Sequence, residues 1–183
     1  MTTEALKSPS ITNLDATSAP YIVMPNTAGE GAQGIMREIS DYVTISASMA
    51  AGSTYRLVRV PTVAKVKDIL FESEAQGAGK FNLSVYYSDS TQDGTPVANQ
   101  GVIVPTTGDQ FFASDIDCAS AVVRASKVNE SGNYPLSKRN QPLWKALGLT
   151  VDPGGMFDIV AVVHTTDVTT GTGKLGLSCV FVI

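Results

Sequence analysis

Histidine and tryptophan each occur once in this 183-residue chain, cysteine occurs twice, and charged side chains make up only 16% of it. Each scarcity removes a class of function. A single histidine, His164, leaves acyl-transfer constellations and histidine-rich metal centres without their usual base or ligand, and it reads as a structural residue. Two cysteines, Cys118 and Cys179, far apart in the chain, do not make a disulfide framework, and they read as free, largely buried thiols. Lysine and arginine number 13 against 17 acidic residues, a net charge of -4. Affinity for nucleic acid comes largely from neutralising phosphates, so DNA and RNA are not expected partners. No run of about 18 apolar residues is present, and the N-terminus lacks the basic-then-apolar order of a secretory leader. The expectation is a soluble protein made in a cytoplasm, with no membrane partner.

What the chain does contain is apolar residues at 43%, with 16 glycines and 9 prolines. Many serines and threonines accompany them, a texture of turns and strands more than of helices. The clearest signal is Phe81, Leu83, Val85 and Tyr87 set against Asn82, Ser84, Tyr86 and Ser88. This period of two gives a strand one apolar and one polar face. Before it, Gln76-Gly77-Ala78-Gly79 can take positive φ, so Val66–Glu74 is expected to fold back on Phe81–Ser88 as a hairpin. Val66, Ile69 and Phe71 fall out of strict alternation across Lys67-Asp68, and a β-bulge there would put all three on one face.

Further strands are expected from Asp41 (Val43, Ile45, Ala47), over Tyr55–Val60, Gly101–Val104 and Ala119–Ala125, over Phe157–Val163 and over Leu175–Ile183, with Phe111-Phe112 plugging the core. Asn140-Gln141-Pro142 followed by Gly148 outlines one short helix near 142–147, with Leu143 and Leu147 turned inward. The fold class is all-β: a jelly-roll-like two-sheet sandwich over 41–183, with an immunoglobulin-like layout as the competitor. Residues 1–40 lack a sustained apolar period and are expected to form an extended N-terminal arm. Within it Tyr21, Ile22, Val23 and Met24, between Pro20 and Pro25, form a short apolar segment suited to strand addition on a partner, and these four are the candidate partner-binding residues.

Candidate chemistry is thin. Asp89, Asp93 and Gly94 match three positions of a calcium loop, but Thr91 and Gln100 stand where ligands are needed. Glu72 with Glu74, and Asp115 with Asp117, are spaced to share a strand face and could act as an acid pair, though solvated carboxylates are the plainer reading. Gly29, Gly31 and Gly34 spell a dinucleotide fingerprint without its flanking strand and helix. The chain is therefore expected not to be an enzyme, with no catalytic, cofactor-binding or metal-ligating residues and no cofactor.

The segments RLVRVPTVAKVKDILFESEA, VYYSDSTQDGTP and NESGNYPLSKRNQPLWKALGLTVDPGGMFDIVAVV, spread over Tyr55–Ile183, resemble small virion structural proteins of tailed bacteriophages. They are similar in character to capsid decoration (cement) proteins with jelly-roll cores. The resemblance implies a structural protein on the outside of a phage capsid, clamping major capsid subunits, as a homo-oligomer (dimer or trimer) synthesised in the bacterial host cytoplasm. A receptor- or carbohydrate-binding module of a tail or fibre is the alternative that jelly rolls also support.

Overall fold

The structure, a computed structural model, describes residues 5–8, 11–12, 35–45, 49–77, 79–90, 99–104, 108–164 and 173–183. Nine strands fall within them: β1 (Ala5–Lys7), β2 (Met36–Ile45), β3 (Thr54–Pro61), β4 (Lys65–Ser73), β5 (Lys80–Tyr87), β6 (Ala113–Asp117), β7 (Val122–Ser126), β8 (Met156–Val163) and β9 (Gly173–Val182). They form two sheets, ordered β1-β3-β8-β5-β6 and β2-β9-β4-β7. The pairs β2·β9, β3·β8, β4·β7 and β5·β6 are nested, so the chain is one long hairpin with its tip between β5 and β6. Rolled over so that successive strands alternate between sheets, that hairpin is a jelly roll. Among the described residues no helix is long and apolar enough to cross a membrane.

Alternation sets the core. Phe81, Leu83 and Val85 of β5 are fully buried and meet Phe157 and Ile159 of β8 and Leu177, Cys179 and Phe181 of β9, while Tyr87 packs against the same cluster half-buried. The expected bulge is present: the β4·β9 register shifts between Val66 and Asp68, and Val66, Ile69 and Phe71 all lie in the core. Phe111 and Phe112 are buried in the core and cluster with Tyr134, the three rings at centroid separations of 5.0 to 5.5 Å. Helix α1 (Leu143–Ala146) buries Leu143 and Leu147, and Gly148 at φ 87° ends it. Pro142 sits one position earlier than expected, in extended conformation at the N-cap. The helix's first N–H groups bond instead to the carbonyls of Ala64 and Thr62. Asn140 offers no cap, since its side-chain oxygen accepts from Lys67 Nζ.

Several expectations are corrected. The segments β4 and β5 do not form a hairpin; they lie in opposite sheets, and their connection is an arch. Gly77 does take positive φ, 66°, but an arch needs that as much as a hairpin does. What decides is the core: Phe71 and Phe81 meet across the sandwich at 6.5 Å, so the two apolar faces oppose one another instead of lying side by side. The polar face of β5 is not wet, because Asn82 and Ser84 are fully buried. Their bonds run to the Asp115 N–H and the Gly108 carbonyl in segments that cover this face. Gly101–Val104 supplies only the bridge Tyr86–Ile103, while β6, unforeseen, is irregular because Asp115 has φ 52°.

Within the 1–40 segment, β1 pairs in parallel with β3, Ser8 N–H bonds the Arg56 carbonyl at 2.8 Å, and Ile11 is fully buried. Three residues are too few for a period to be legible. Strand β2 begins at Met36, five residues before the alternation of Val43 and Ile45 becomes apparent, because its first half lies at the sandwich rim and alternates only between exposed and half-buried.

Candidate functional site

A concavity of about 540 Å³ crosses the outer face of the four-stranded sheet. Its walls come from β2 (Ser40, Asp41, Tyr42) and from the start of β7 (Ala121, Val122, Val123); its floor from β9 and β4. One row of the sheet explains the depression. Register places Tyr42, Gly176 and Glu72 side by side on β2, β9 and β4. The middle position has no side chain. Gly176 has no positive φ, so backbone freedom does not account for a glycine in the middle of a strand. A Cβ there would meet Glu72 Cγ at 3.4 Å and Tyr42 Cβ at 3.5 Å, ordinary contacts that would fill the groove between them. A strand glycine of this kind marks a place where another group approaches the backbone closely.

The side-chain charges on the groove's outer face are Glu72 and Glu74 against Lys174, while Asp41, on the inward-facing side of β2, borders it through its main chain. Lys174 Nζ lies 4.9 Å from the Tyr42 ring centroid, and its backbone N–H bonds Glu74 Oε2 at 3.0 Å. Toward β7 the wall is apolar, with Val123 81% exposed. Glu38 and Arg124 approach to 3.7 Å, linking the two edge strands above the sheet. Such a groove can hold an extended segment or a basic side chain by main-chain and charge-assisted bonds.

On the other sheet the dominant polar feature is an ion cluster. Asp158 of β8 is fully buried between two arginines of β3: Arg59 Nε donates to Oδ1 at 2.6 Å and Arg56 NH1 to Oδ2 at 2.8 Å. Burial nevertheless raises its carboxyl above the ordinary range, with the guanidinium groups of Arg59 and Arg56 pulling the other way. Asp89 extends the cluster, reaching Arg59, Arg56 and Lys7 at 3.2, 3.5 and 2.8 Å. The carboxylate that headed the calcium-loop pattern thus serves as an ion-pair partner that ties β1 to β3. Residues 91–98, with Thr91, Asp93 and Gly94 of that pattern, lie outside the described residues.

His164 has a carboxylate partner. Its Nδ1 lies 2.7 Å from Asp115 Oδ1, and its backbone N–H bonds the Lys80 carbonyl. Asp115 and Asp117 are both exposed on either side of buried Ile116, and the Asp117 carboxylate accepts from the Ala119 N–H. An imidazole oriented by a carboxylate needs an adjacent nucleophile for acyl transfer. The thiols are poor candidates, since burial pushes Cys118 up to about 11 and Cys179 still higher, keeping both protonated at neutral pH. Of the carboxylate pairs, Glu72 and Glu74 do share a face, and both line the groove. Tyr21, Ile22, Val23 and Met24 lie outside the described residues. Gly176 was missed by the sequence reading; its signal was a glycine between Leu175 and Leu177 in an otherwise regular strand.

No protein-family model matches the chain, and no curated protein matches it. Among solved structures it is similar to a chain of the "Cyanophage Pam1 capsid asymmetric unit", at a TM-score of 0.41 and 12% sequence identity, covering 91% of this chain and 98% of that one.

Proposed function

We propose that this chain is a structural virion protein that binds the outside of a phage capsid and stabilises contacts between major capsid subunits. The observation that carries the reading is the outer groove of the four-stranded sheet, held open at Gly176 on a rigid jelly roll and lined for an extended partner segment. The resemblance of Tyr55–Ile183 to phage virion proteins supplies the class of partner. Strand β1 supports the reading from a second side, because it illustrates how a short N-terminal stretch gains main-chain bonds on a sheet edge while ordering few residues. In this reading Tyr21, Ile22, Val23 and Met24 make a comparable attachment on the major capsid protein. Contacts of this sort, each weak, act together when one molecule spans several subunits.

A tail or fibre module binding carbohydrate is the second reading, and Tyr42 on the groove wall is the observation in its favour. Lys174 over the ring occupies a stacking face that a sugar would use, which favours a protein partner.

The test is to add purified protein to particles lacking it and to quantify bound copies. Saturable binding in copy numbers commensurate with the major capsid subunits, lost in Gly176→Val at unchanged unfolding midpoint, is expected. A handful of copies per particle, or full occupancy by the Gly176→Val variant, would overturn the assignment of the groove as capsid contact.

A further inference from the structure

Among the described residues the two sheets have four edges, and three of them are blunted. Strand β1 has three residues and β6 five. The short β7 is bent by Arg124 at φ 40° and by a register shift opposite Phe71 and Ser73. The fourth edge, β2, is different in kind: ten residues pair with β9 in unbroken register from Met36–Val182 to Ile45–Gly173. Long, regular edges are templates for another strand unless something blocks them.

Alternation fixes which of its backbone groups face outward. The N–H of Glu74 bonds the carbonyl of Lys174, so the even residues of β9 turn toward β4 and the odd ones toward β2. On β2 it is then the odd residues that bond β9. The N–H of Tyr42, accordingly, is taken not by β9 but by Asp41 Oδ1 at 2.8 Å. Glu38, Ser40 and Tyr42 therefore present their main-chain groups to the side of β2 on which no described strand pairs. Beside them stand two of the large exposed apolar side chains, Met36 at 69% and Tyr42 at 46%.

We propose that β2 pairs antiparallel with β2 of a second copy of this chain, about a two-fold axis through Ile39, joining two four-stranded sheets into one. The sequence MREISDY selects that register. With Ile39 opposite Ile39, Arg37 faces Asp41 twice, Glu38 faces Ser40 twice, and Met36 packs on Tyr42 twice. Sliding the axis to Glu38 or to Asp41 sets that carboxylate against its own copy, which is unfavourable for directly opposed like charges. Placing it at Ser40 sets Arg37 against Val43 and Asp41 against Ile39. Inward charges on an edge strand usually deter pairing; here they permit one partner strand, its own copy, in one register. On pairing, the Tyr42 N–H leaves Asp41 Oδ1 for the Met36 carbonyl of the second copy, and the carboxylate turns to the second copy's Arg37. The dimer places two copies of the acidic groove on one continuous face.

The experiment is sedimentation of the full chain with charge-exchange variants. The native chain is expected to run at twice its 19.2 kDa mass. Arg37→Asp opposes two aspartates at each contact and Asp41→Arg two arginines, so each variant alone is expected to dissociate roughly tenfold or more readily. Mixed, the two variants regain both ion pairs, and a heterodimer of native affinity is expected. Ile39→Cys at the axis adds a second readout, because Cα atoms about 4.5 Å apart at a non-hydrogen-bonded pair accept a disulfide. Oxidation should link copies through position 39 but not through cysteines placed at 38 or 40. A native chain that remains monomeric at micromolar concentration, a dimer indifferent to both charge variants, or a mixture that fails to recover would overturn the proposal.

Discussion

Arg59 and Asp158, on adjacent strands β3 and β8, bury their ion pair in two bonds: Nε to Oδ1 at 2.6 Å and NH2 to Oδ2 at 3.0 Å. Neither residue is more than 2% exposed. Removing one partner would strand the other charge away from water, a loss of about 3 to 5 kcal/mol. Asp158→Asn should therefore lower stability by that amount in chemical denaturation. Arg59→Met combined with Asp158→Leu should cost much less than the two single changes together, since the cluster's charge balance is kept and Arg56, which loses Asp158, retains Asp89 at 3.5 Å. Additive losses would show that the pair does not act as a unit.

Leu83, on the inner face of β5, is fully buried in the main cluster. Leu83→Ala should cost about 2 to 5 kcal/mol from lost transfer energy and a residual cavity. An unchanged denaturation midpoint would contradict its placement in the core.

The two glycines of β9 should respond oppositely to alanine. At Gly173 a Cβ would come within 2.7 Å of Gln76 Nε2 and 3.1 Å of Glu74 Cβ, and Gln76 is fully buried and cannot swing aside. At Gly176 the contacts are ordinary. Gly173→Ala is expected to destabilise, whereas Gly176→Ala should leave the melting temperature unchanged or raise it slightly, because alanine also reduces the freedom of the unfolded chain. Equal losses at the two positions would mean that the groove floor is as tightly packed as the strand end.

Alkaline pH should weaken the fold through its thiols. Burial raises Cys118 from 9.0 to about 11, so between those values the unfolded chain has released a proton that the folded chain retains. The folded-state preference for the neutral thiol is without effect below pH 9, and stability falls as pH rises toward 11, by about 2 to 3 kcal/mol from this group. Tyr134 and Cys179, also raised by burial, act in the same sense. Denaturation at pH 8 and pH 10.5 under reducing conditions measures the slope, which Cys118→Ala should reduce. Both cysteines are free and buried, and labelling of the native protein by a thiol reagent should be slow unless the protein is first unfolded.

Deleting residues 1–12 removes β1, the Lys7–Asp89 ion pair and the buried Ile11. The sandwich should still fold, at a reduced melting temperature, because its main cluster draws on residues from Val43 onward. Deleting residues 1–40 should cost more, since it also removes Met36–Ser40 from the pairing with β9. Equal stability of the two truncations would mean that the first half of β2 contributes nothing.

The sequence by itself determined which side chains of β4, β5 and β9 point into the core. The alternation of Phe81, Leu83 and Val85, the broken alternation that signalled the bulge at Lys67-Asp68 and the Pro142-to-Gly148 frame of the helix are local properties, set by side-chain period and backbone allowance. Which strands pair was not local. A glycine turn serves a hairpin or an arch equally, and only the opposition of Phe71 to Phe81 across the core assigned β4 and β5 to different sheets. The same holds for the sites: Arg56 meets Asp158 across 102 residues and His164 meets Asp115 across 49. The groove exists because a glycine, silent in any one-strand pattern, falls between Tyr42 and Glu72 once three strands are in register. Tertiary structure decided these because each depends on the relative placement of segments whose separate periods are satisfied by more than one arrangement.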